Sequence, residues 1–329
     1  MTGPVARRVK FVAPLEVELV DEELGNPSDD TFLRGPTVAS VISPGTELAM
    51  LRGQLTALRG VPFPMASGYA AVFAVTEVGP AVEDVEPGQH VFCFGPHQSF
   101  QQISRADAIV IPDSLAPEIA VFARLMAVTM STLVTTRARP PETVLVSGLG
   151  IIGNLAAQIF SAAGYTTLAW NRGKRRRELA ERCGVRTLDR PFGESAPLTT
   201  DAALALECSG NEEAALDCIG CIKKNGEVVL VARPWQRATQ ISAHTILASI
   251  FQRYAIVRSG WEWQLPLHPE PFRLPSTYDL LSGALRWLAA GRVVVADLAD
   301  HVPPDEAPAA YARLERGEHD FLTTVFRWR

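Results

Sequence analysis

The 329-residue sequence lacks the features of a secreted, membrane-spanning or nucleic-acid-binding protein. No apolar run approaches the roughly 18 to 20 uncharged residues of a membrane span, and no signal-like apolar segment precedes the first acidic residues. Positive charge is not in excess, since 31 Lys and Arg against 36 Asp and Glu leave a net charge of -5. Nucleic acid and anionic membranes both reward a concentrated positive surface. We therefore expect a cytoplasmic protein with a small-molecule partner, and neither nucleic acid nor membrane.

Cysteine is also scarce, with residues at 93, 183, 208, 218 and 221. An odd number scattered through apolar segments is typical of reduced cytosolic thiols rather than of a disulfide framework. Cys218 and Cys221 form a CxxC in "LDCIGCI", which leaves two interpretations, a zinc or redox pair and helix core. No second pair accompanies it, and its helical context favours core.

The pattern of apolar residues changes in character along the chain. With 47% hydrophobic and 20% charged residues, the chain can form a large core and two domains. Residues 7 to about 115 hold short alternating runs broken by Gly and Pro, typical of a mostly antiparallel β domain. From residue 143 strands alternate with helices that start near Ile151, Lys174 and Glu212, which predicts βαβ units and a parallel sheet. The proposed strands are "TVLVSG", "TTLAWN", "ALALECSG" and "EVVLVARP".

The predicted fold class is therefore α/β, with a β-rich domain built from both chain ends and a nucleotide-binding domain inserted into it. The predicted boundaries are 1–120 with 266–329 for the β-rich domain and 121–265 for the inserted one.

A glycine motif indicates what the inserted domain binds. "VLVSGLGIIGN" places Gly148, Gly150 and Gly153 as G-x-G-x-x-G, directly after a strand and at the start of a helix. Gly148 would make the tight turn, Gly150 would admit a pyrophosphate and Gly153 would allow close packing of strand and helix. Ile151 and Ile152 open that helix. The motif predicts a dinucleotide site.

The end of the second strand indicates which dinucleotide binds, because an acidic residue there accepts from the ribose 2'-hydroxyl of NAD. In "LAWNRGKRRRELA" the acidic position is Asn171. Arginine pairs bidentately with phosphate, so Arg172 with Lys174 or Arg175 would hold the 2'-phosphate of NADP. Some of the five charges at 172 and 174 to 177 are also consistent with a solvated helix start. The predicted cofactor is NADPH/NADP+.

The end of the next strand, "LECSGNEEA", would lie at the nicotinamide ribose. It offers Cys208, Ser209 and Gly210 to the cofactor. Ser209 and Asn211 would also suit a cap on the following helix, and both interpretations can hold together.

The β-rich domain, "GLGIIG", "ECSGN" and "GEVVLV" together resemble the medium-chain dehydrogenase/reductase superfamily over nearly the whole chain. The resemblance implies a GroES-like catalytic domain, a Rossmann-type doubly wound parallel sheet and a homodimer formed through the strand near Tyr254–Gly260. "SPGTE", "GYAAV" and "FCFGPHQ" are most similar to a zinc-free branch that includes hydroxyethyl-bacteriochlorophyllide dehydrogenases and threonine-dehydrogenase-like enzymes.

The zinc ligands of this superfamily have no counterparts in the sequence. Aligned on the glycines, the family's cysteine position is Pro44, its histidine position is Tyr69 and its third ligand falls at or beside Arg124. None of these side chains is a plausible zinc ligand. The four-cysteine structural zinc loop is absent as well. We therefore predict no metal.

Without a metal, a side chain must supply the proton and stabilise the oxyanion that accompany hydride transfer. Tyr69 and His97 are the candidates, and the resemblance adds Thr46 as a proton relay and Glu47 as an orienting acid. Each has a structural alternative. Tyr69 would be core, His97 a turn residue, Thr46 a helix N-cap, and Glu47 a partner for Arg124.

Further residues are candidates for lining the site. Thr129, with Ser131 on the same helix, would face the nicotinamide or lie in helix core. Trp261 and Trp263, with Arg124 and with His268, would wall the substrate pocket. The two tryptophans would alternatively lie at a subunit edge.

The predicted function is zinc-independent, NADPH-dependent oxidoreduction of the carbonyl or secondary alcohol of a small to medium metabolite, with specialised metabolism as one setting. Reduction of a carbonyl-conjugated C=C bond is the alternative within the same class. A protein that binds NADPH without turnover, such as a sensor, is the alternative of another class.

Overall fold

The computed structural model describes residues 5–27, 29–195, 198–273, 275–318 and 320–328. The chain divides into two compact units, Met1–Arg124 with Val295–Arg329, and Leu125–Val294. The second predicted boundary differs, because residues 266–294 belong with the inserted unit. Part of the reason is Gln158, whose side-chain Oε1 accepts from the Val294 N–H at 2.7 Å while its Nε2 donates to the Val294 carbonyl at 3.0 Å.

The elements follow each other along the chain with short connections. The strands are β1 (Val5–Ala13), β2 (Glu16–Glu23), β3 (Phe32–Val41), β4 (Met65–Ala66), β5 (Ala71–Ala74), β6 (Glu77–Val78), β7 (His90–Cys93), β8 (Phe100–Ser104), β9 (Ile109–Val110), β10 (Thr143–Ser147), β11 (Thr166–Trp170), β12 (Ala202–Glu207), β13 (Ile222–Leu230), β14 (Ile256–Ser259), β15 (Ala299–Val302) and β16 (Thr323–Arg327). The helices are α1 (Pro44–Leu51), α2 (Gln54–Arg59), α3 (Pro117–Ala120), α4 (Ala123–Thr135), α5 (Ile151–Ala162), α6 (Lys174–Arg182), α7 (Glu212–Cys221), α8 (Ala243–Arg253), α9 (Thr277–Ala289) and α10 (Ala307–Arg316). Single 3₁₀ turns lie at Arg105–Asp107, Phe192–Glu194, Glu262–Gln264 and Pro304–Glu306.

The inserted unit is built on a parallel sheet in the order β11-β10-β12-β13-β14. Successive residues of β10 point to opposite faces, so Val144 and Val146 join one buried cluster with Phe160 of α5, while Leu145 joins the other with Ile219 of α7. Helices therefore cover both faces, and the predicted doubly wound sheet is confirmed. The strand order reverses between β10 and β12, which is where open α/β sheets bind ligands.

The first unit is mostly antiparallel, as predicted. Strand β3 lies at its centre and pairs with β5, β6, β8 and β16, and β1 pairs with β2 and β4 in a smaller sheet. Ala71, Phe73 and Val75 are at most 1% exposed and belong to one buried cluster, so this part of "SGYAAVFAVTEVG" is core. The C-terminal elements β15, α10 and β16 complete the unit.

Among the described residues, one segment is long and apolar enough to span a membrane by length and composition alone, Pro117–Thr135. It includes Glu118 and Arg124, and 67% of its most apolar window is buried within the protein. In the structure it forms α3 and α4. A core helix passes the same test, and this extent of burial is that of a core helix.

Candidate functional site

The glycine motif forms the tight strand-to-helix turn that its spacing predicts. Gly148 has φ +89°, a conformation that favours glycine. A Cβ on Gly153 would lie 1.7 Å from the Gly148 carbonyl oxygen, so only glycine fits there. Gly150 is the N-cap of α5 and brings no side chain to the first helical N–H groups. The turn therefore leaves an open cradle at the positive end of a helix.

The end of β12 packs against this turn. A Cβ on Gly148 would lie 2.8 Å from the Cβ of Ser209, and one on Gly153 would lie 3.2 Å from the Cβ of Cys208. The buried Glu207 carboxylate accepts from the Ser209 N–H at 2.6 Å and from the Gly210 N–H, which fixes the loop. Burial raises the pKa of Glu207 and holds the pKa of the Cys208 thiol well above its usual range.

Of the two helix-capping residues considered, Asn211 caps α7. Its Oδ1 accepts from the Glu213 and Ala214 N–H groups at 2.9 and 3.2 Å. The N–H and hydroxyl of Ser209 instead bind Glu207. Ser209 and Gly210 thus lie in a loop of fixed conformation beside the glycine turn, as the prediction of a cofactor contact requires.

Asn171 ties the end of β11 to the glycine turn, because its Oδ1 accepts from the Leu149 N–H at 3.0 Å. The basic residues after it have different environments. Arg177 donates to the carbonyls of Asn171 and Arg172 and so supports the loop. Lys174 pairs with Glu178 at 3.2 Å on the surface, while the side chains of Arg172 and Arg175 are exposed.

Arg176 is the basic residue nearest the glycine turn. Its Nη1 lies 4.0 Å from the position that a Cβ on Gly150 would take. Arg176 is exposed as a residue, while partial desolvation of its guanidinium lowers its pKa. In the sequence analysis, Arg176 is named only within the group of five basic residues at 172 and 174 to 177. Its position in the first turn of α6, two residues after Lys174, is the feature that could have distinguished it.

These residues fit a dinucleotide. The glycine turn has the space, α5 presents its N-terminus, and the polar end of β12 lies alongside. On α4, Thr129 has a hydroxyl that is 0% exposed and whose Oγ1 has no hydrogen-bond partner among the described residues. A buried polar group without a partner is costly unless a ligand satisfies it.

Tyr69 lies directly after Gly68 in the first unit. Gly68 has φ +81°, and a Cβ there would lie 2.6 Å from the His97 ring, so glycine is required. Tyr69 is partly exposed as a residue, while its hydroxyl lies in a buried environment near the side chains of Ser43 and Thr46. Burial raises the pKa of this phenol above 10.0, so Tyr69 is protonated at neutral pH.

Glu47 lies at the centre of a buried hydrogen-bond network. It is 0% exposed, and its Oε1 accepts from the Ser43 N–H at 2.7 Å, near the positive end of α1. Its Oε2 accepts from the Tyr311 hydroxyl and lies 3.2 Å from His97 Nε2. Burial and the Glu47 charge together raise the pKa of Tyr311 well above its usual range.

The structure places His97 in the core of the first unit. It is 0% exposed, with Nδ1 2.7 Å from the Ser40 hydroxyl and Nε2 directed at Glu47. Trp328 donates to the same Ser40 oxygen at 2.9 Å. Both ring nitrogens of His97 are therefore engaged by neighbouring side chains in the core.

One structural alternative is wrong. Thr46 is not the N-cap of α1, since that position is Ser43 and the helix begins at Pro44. The Thr46 side chain lies near the Tyr69 hydroxyl and favours its ionised form. Glu47 does have a structural role, and its identified partners are Ser43, His97 and Tyr311.

Arg124 lies against Tyr69. It is 4% exposed, with its Cζ 5.0 Å from the Tyr69 ring centroid and 5.2 Å from that of Phe94. Ring faces stabilise a cation at this separation. Arg124 is the second residue of α4. Its charge lowers the pKa of Tyr69, which opposes the effect of burial. Tyr69, Arg124 and the residues flanking Pro44 are therefore together in the fold.

The predicted pocket residues of the inserted unit remain on its surface. Trp261 and Trp263 are each 49% exposed, Trp261 as the N-cap of a single 3₁₀ turn and Trp263 in the middle of that turn. His268 stacks on Tyr278 with ring centroids 4.5 Å apart.

Comparisons with known proteins extend these observations. No protein-family model matches the chain. A 2-desacetyl-2-hydroxyethyl bacteriochlorophyllide A dehydrogenase of Cereibacter sphaeroides is 27% identical over 309 residues, 88% of each chain. Galactitol-1-phosphate dehydrogenase of Escherichia coli has a similar structure, with a TM-score of 0.82, 16% identity and 98% and 99% of the two chains covered. For 2R,3R-butanediol dehydrogenase of Bacillus subtilis the TM-score is 0.79, with 17% identity and the same coverage.

The chain has the medium-chain dehydrogenase/reductase fold. Zinc, which metal-containing members of this fold use, does not fit the residues present. The guanidinium of Arg124 brings positive charge to the ligand positions, and no described cluster of three or more His, Cys, Asp or Glu side chains could hold a metal. The CxxC is no exception, because Cys218 and Cys221 are buried in α7, where burial raises the pKa of Cys221 to about 11.

The residues that sequence reasoning missed in this fold lie far apart in the chain. Tyr311 meets Glu47 across 264 positions, and Phe94 completes the surroundings of Arg124. Ser43 is the missed residue that the sequence comes closest to indicating. It directly precedes Pro44, and proline is common at the first position of a helix. Nothing in the local pattern around Tyr311 distinguishes it from core.

Proposed function

We propose that this chain is an NADPH-dependent oxidoreductase that works without zinc on the carbonyl or secondary alcohol of a small to medium metabolite. The observation that carries the proposal is the glycine turn, where a Cβ on Gly153 would strike the Gly148 carbonyl and the helix N-terminus stays open. The dehydrogenase relatives support the same class of reaction.

The preference for NADPH rests on the end of β11. Asn171 brings no negative charge to oppose a 2'-phosphate, and its Oδ1 is already engaged by Leu149 N–H. Arg172 and Arg175 lie on the exposed side of this loop and would pair with that phosphate. Arg176, beside Gly150, would neutralise the pyrophosphate. Bound NADPH supplies the hydride.

Tyr69 would supply the proton. Its phenol is protonated at neutral pH, and the Ser43 and Thr46 side chains lie near its oxygen. In the reducing direction the Tyr69 O–H donates to the substrate oxygen, and Thr46 offers a hydroxyl through which the proton is replaced. A buried hydrogen-bond network would hold α1 and its first turn in place, and it consists of Glu47, His97 and Tyr311.

The direct test is NADPH oxidation by the purified protein over ketones and conjugated enones, with the products identified. We expect an alcohol from a ketone. Formation of a saturated ketone from an enone would show C=C reduction instead of carbonyl reduction. Tight NADPH binding without oxidation across the panel would favour a sensor that binds NADPH without turnover. Equal, tight binding of NADH and NADPH would contradict the argument from Asn171 and the arginines.

We also propose a homodimer formed through β14. This strand ends the parallel sheet, so its outer edge has backbone groups available for pairing. Leu247, Phe251 and Tyr254, on or next to α8, are 64%, 83% and 59% exposed. Light scattering should give twice the 35.7 kDa chain mass, and a Val257→Pro variant, which removes a backbone donor from β14, should weaken the dimer. A monomer at all concentrations would contradict this proposal.

A cytoplasmic location and a small-molecule substrate complete the proposal. All five cysteines lie in the described residues and are free thiols, which suits a reducing compartment. Localisation of a tagged chain in its own cells would test this, and export of the chain would contradict it.

A further inference from the structure

The positions of the family's zinc ligands hold a cation of another kind in this chain. Arg124 is 4% exposed, and its guanidinium carbon lies 5.0 Å from the Tyr69 ring centroid and 5.2 Å from the Phe94 ring centroid. Arg124 therefore brings a buried positive charge beside the candidate proton donor Tyr69. Arginine stays charged at every working pH, which makes it a permanent source of positive potential.

The charged and titratable groups around Tyr69 come from three helices. Arg124 lies on α4, Glu47 on α1 and Tyr311 on α10, while His97 lies on the far side of Glu47. Arg124 favours negative charge on the phenol oxygen, and Glu47 opposes it. Glu47 is already bound by Ser43, Tyr311 and His97, so its position is fixed by the core.

We propose that Arg124 replaces the catalytic metal electrostatically, by stabilising the negative charge that develops on the substrate oxygen and on Tyr69 as the proton is transferred. This inference rests on the proposed function and assigns the oxyanion-stabilising part of it. Phe94 and Tyr69 hold the guanidinium between their rings, so the charge is preorganised and does not have to move during the reaction.

The reaction balances with these groups. In reduction, the carbonyl carbon gains the hydride supplied by NADPH, which becomes NADP+, and the C=O π bond breaks. The electron pair of that bond moves to oxygen, which takes the proton of the Tyr69 O–H. The phenolate beside Arg124 then regains a proton from solvent. Oxidation of a secondary alcohol is the same sequence in reverse.

The test compares Arg124→Met, which removes the charge, with Arg124→Lys, which keeps it. Arg34→Met is the matched control, because Arg34 also lies over a ring, that of Phe32 at 5.5 Å, but is remote from Tyr69. The first measurement is the ultraviolet titration of Tyr69 without cofactor or substrate, taken as the difference between each protein and its Tyr69→Phe counterpart. The second is kcat with NADPH, beside the Kd for NADPH.

In Arg124→Met, we expect the Tyr69 titration to move to higher pH and kcat to fall about 100-fold, as when an oxyanion donor is removed. The Kd for NADPH should stay the same. In Arg124→Lys, the Tyr69 titration should stay near that of the wild type and kcat should fall less than in Arg124→Met. In Arg34→Met, both the Tyr69 titration and kcat should stay unchanged. If Arg124→Met does not fold, Arg124→Gln takes its place in the same comparison.

An unchanged Tyr69 titration together with an unchanged kcat in the uncharged variant would overturn the inference. Failure of the proposed function gives a different result, namely no NADPH oxidation by the wild type over the whole panel. In that case a shift of the Tyr69 titration in Arg124→Met still supports the electrostatic coupling of the two residues, and no shift rejects it.

Discussion

The glycine turn of the inserted unit and the Tyr69 cluster of the β-rich unit are built in opposite ways. The glycine turn is local, since residues 148 to 153 create it by leaving side chains out. The Tyr69 cluster is assembled from α1, α4, α10 and the loop that carries His97, and it depends on the side chains that fill it. The turn depends on backbone space, so it tolerates no added atoms. The cluster depends on hydrogen bonds and charge, so changes there should affect function in graded steps.

The largest expected effect is at the turn, in Gly153→Ala. Its Cβ would lie 1.7 Å from the Gly148 carbonyl oxygen, so β10 and α5 must separate. We expect loss of measurable NADPH binding and a fall of about 3 kcal/mol in the free energy of unfolding. Urea denaturation and calorimetric titration measure these two quantities.

Gly220→Ala is the control for Gly153→Ala. This helical glycine has no atom within 4 Å of its added Cβ, and the free energy of unfolding should rise by about 0.5 to 1 kcal/mol. Equal effects of the two substitutions would show that the cradle is not determined by backbone space.

The next effect is at Tyr69. Tyr69→Phe removes the proton donor, and we expect kcat to fall about 10² to 10³-fold with the Kd for NADPH unchanged. In the wild type, reduction should hold on the alkaline side until the phenol ionises above pH 10, because burial raises its pKa. That basic limb should be missing from the residual activity of Tyr69→Phe. Full activity of the variant would show that the phenol only occupies space.

A smaller effect is expected in the buried network behind Tyr69. Glu47→Gln replaces an acceptor oxygen with an amide that faces the Tyr311 and His97 donors. We expect the free energy of unfolding to fall by about 1 to 3 kcal/mol. Tyr311→Phe removes one of those donors, so the double variant should lose less than the sum of the two. Simple additivity in urea denaturation would mean that these residues do not act together.

The smallest predicted effect returns to the inserted unit and concerns cofactor choice. Arg172→Ala should weaken NADPH binding about tenfold and leave NADH binding unchanged, since only NADPH carries the 2'-phosphate. Arg176→Ala should weaken both, because Arg176 lies beside Gly150. Asn171→Asp keeps the acceptor for Leu149 N–H and should favour NADH. Fluorescence titration with the two cofactors distinguishes these outcomes, and parallel losses for both in Arg172→Ala would contradict the assignment.

The sequence predicts features that depend on local residues, such as the glycine turn, better than features that depend on distant residues, such as the Tyr69 cluster. The strands of the parallel sheet and the helix starts at Ile151, Lys174 and Glu212 are confirmed, because period, glycines and short connections encode them locally. The second predicted domain boundary lies before the observed one, and the contact between Gln158 and Val294, 136 positions apart, is part of the reason. The burial of His97 likewise involves distant residues, namely Ser40, Glu47 and Phe326.

The central claim is that the reaction proceeds without zinc, with Tyr69 and Arg124 in its place. The most direct measurement is kcat for NADPH-dependent ketone reduction by protein treated with a chelator and shown to hold less than stoichiometric zinc. The account predicts that kcat is the same before and after treatment and that added zinc does not raise it. Activity that disappears with chelation and returns with zinc would contradict it.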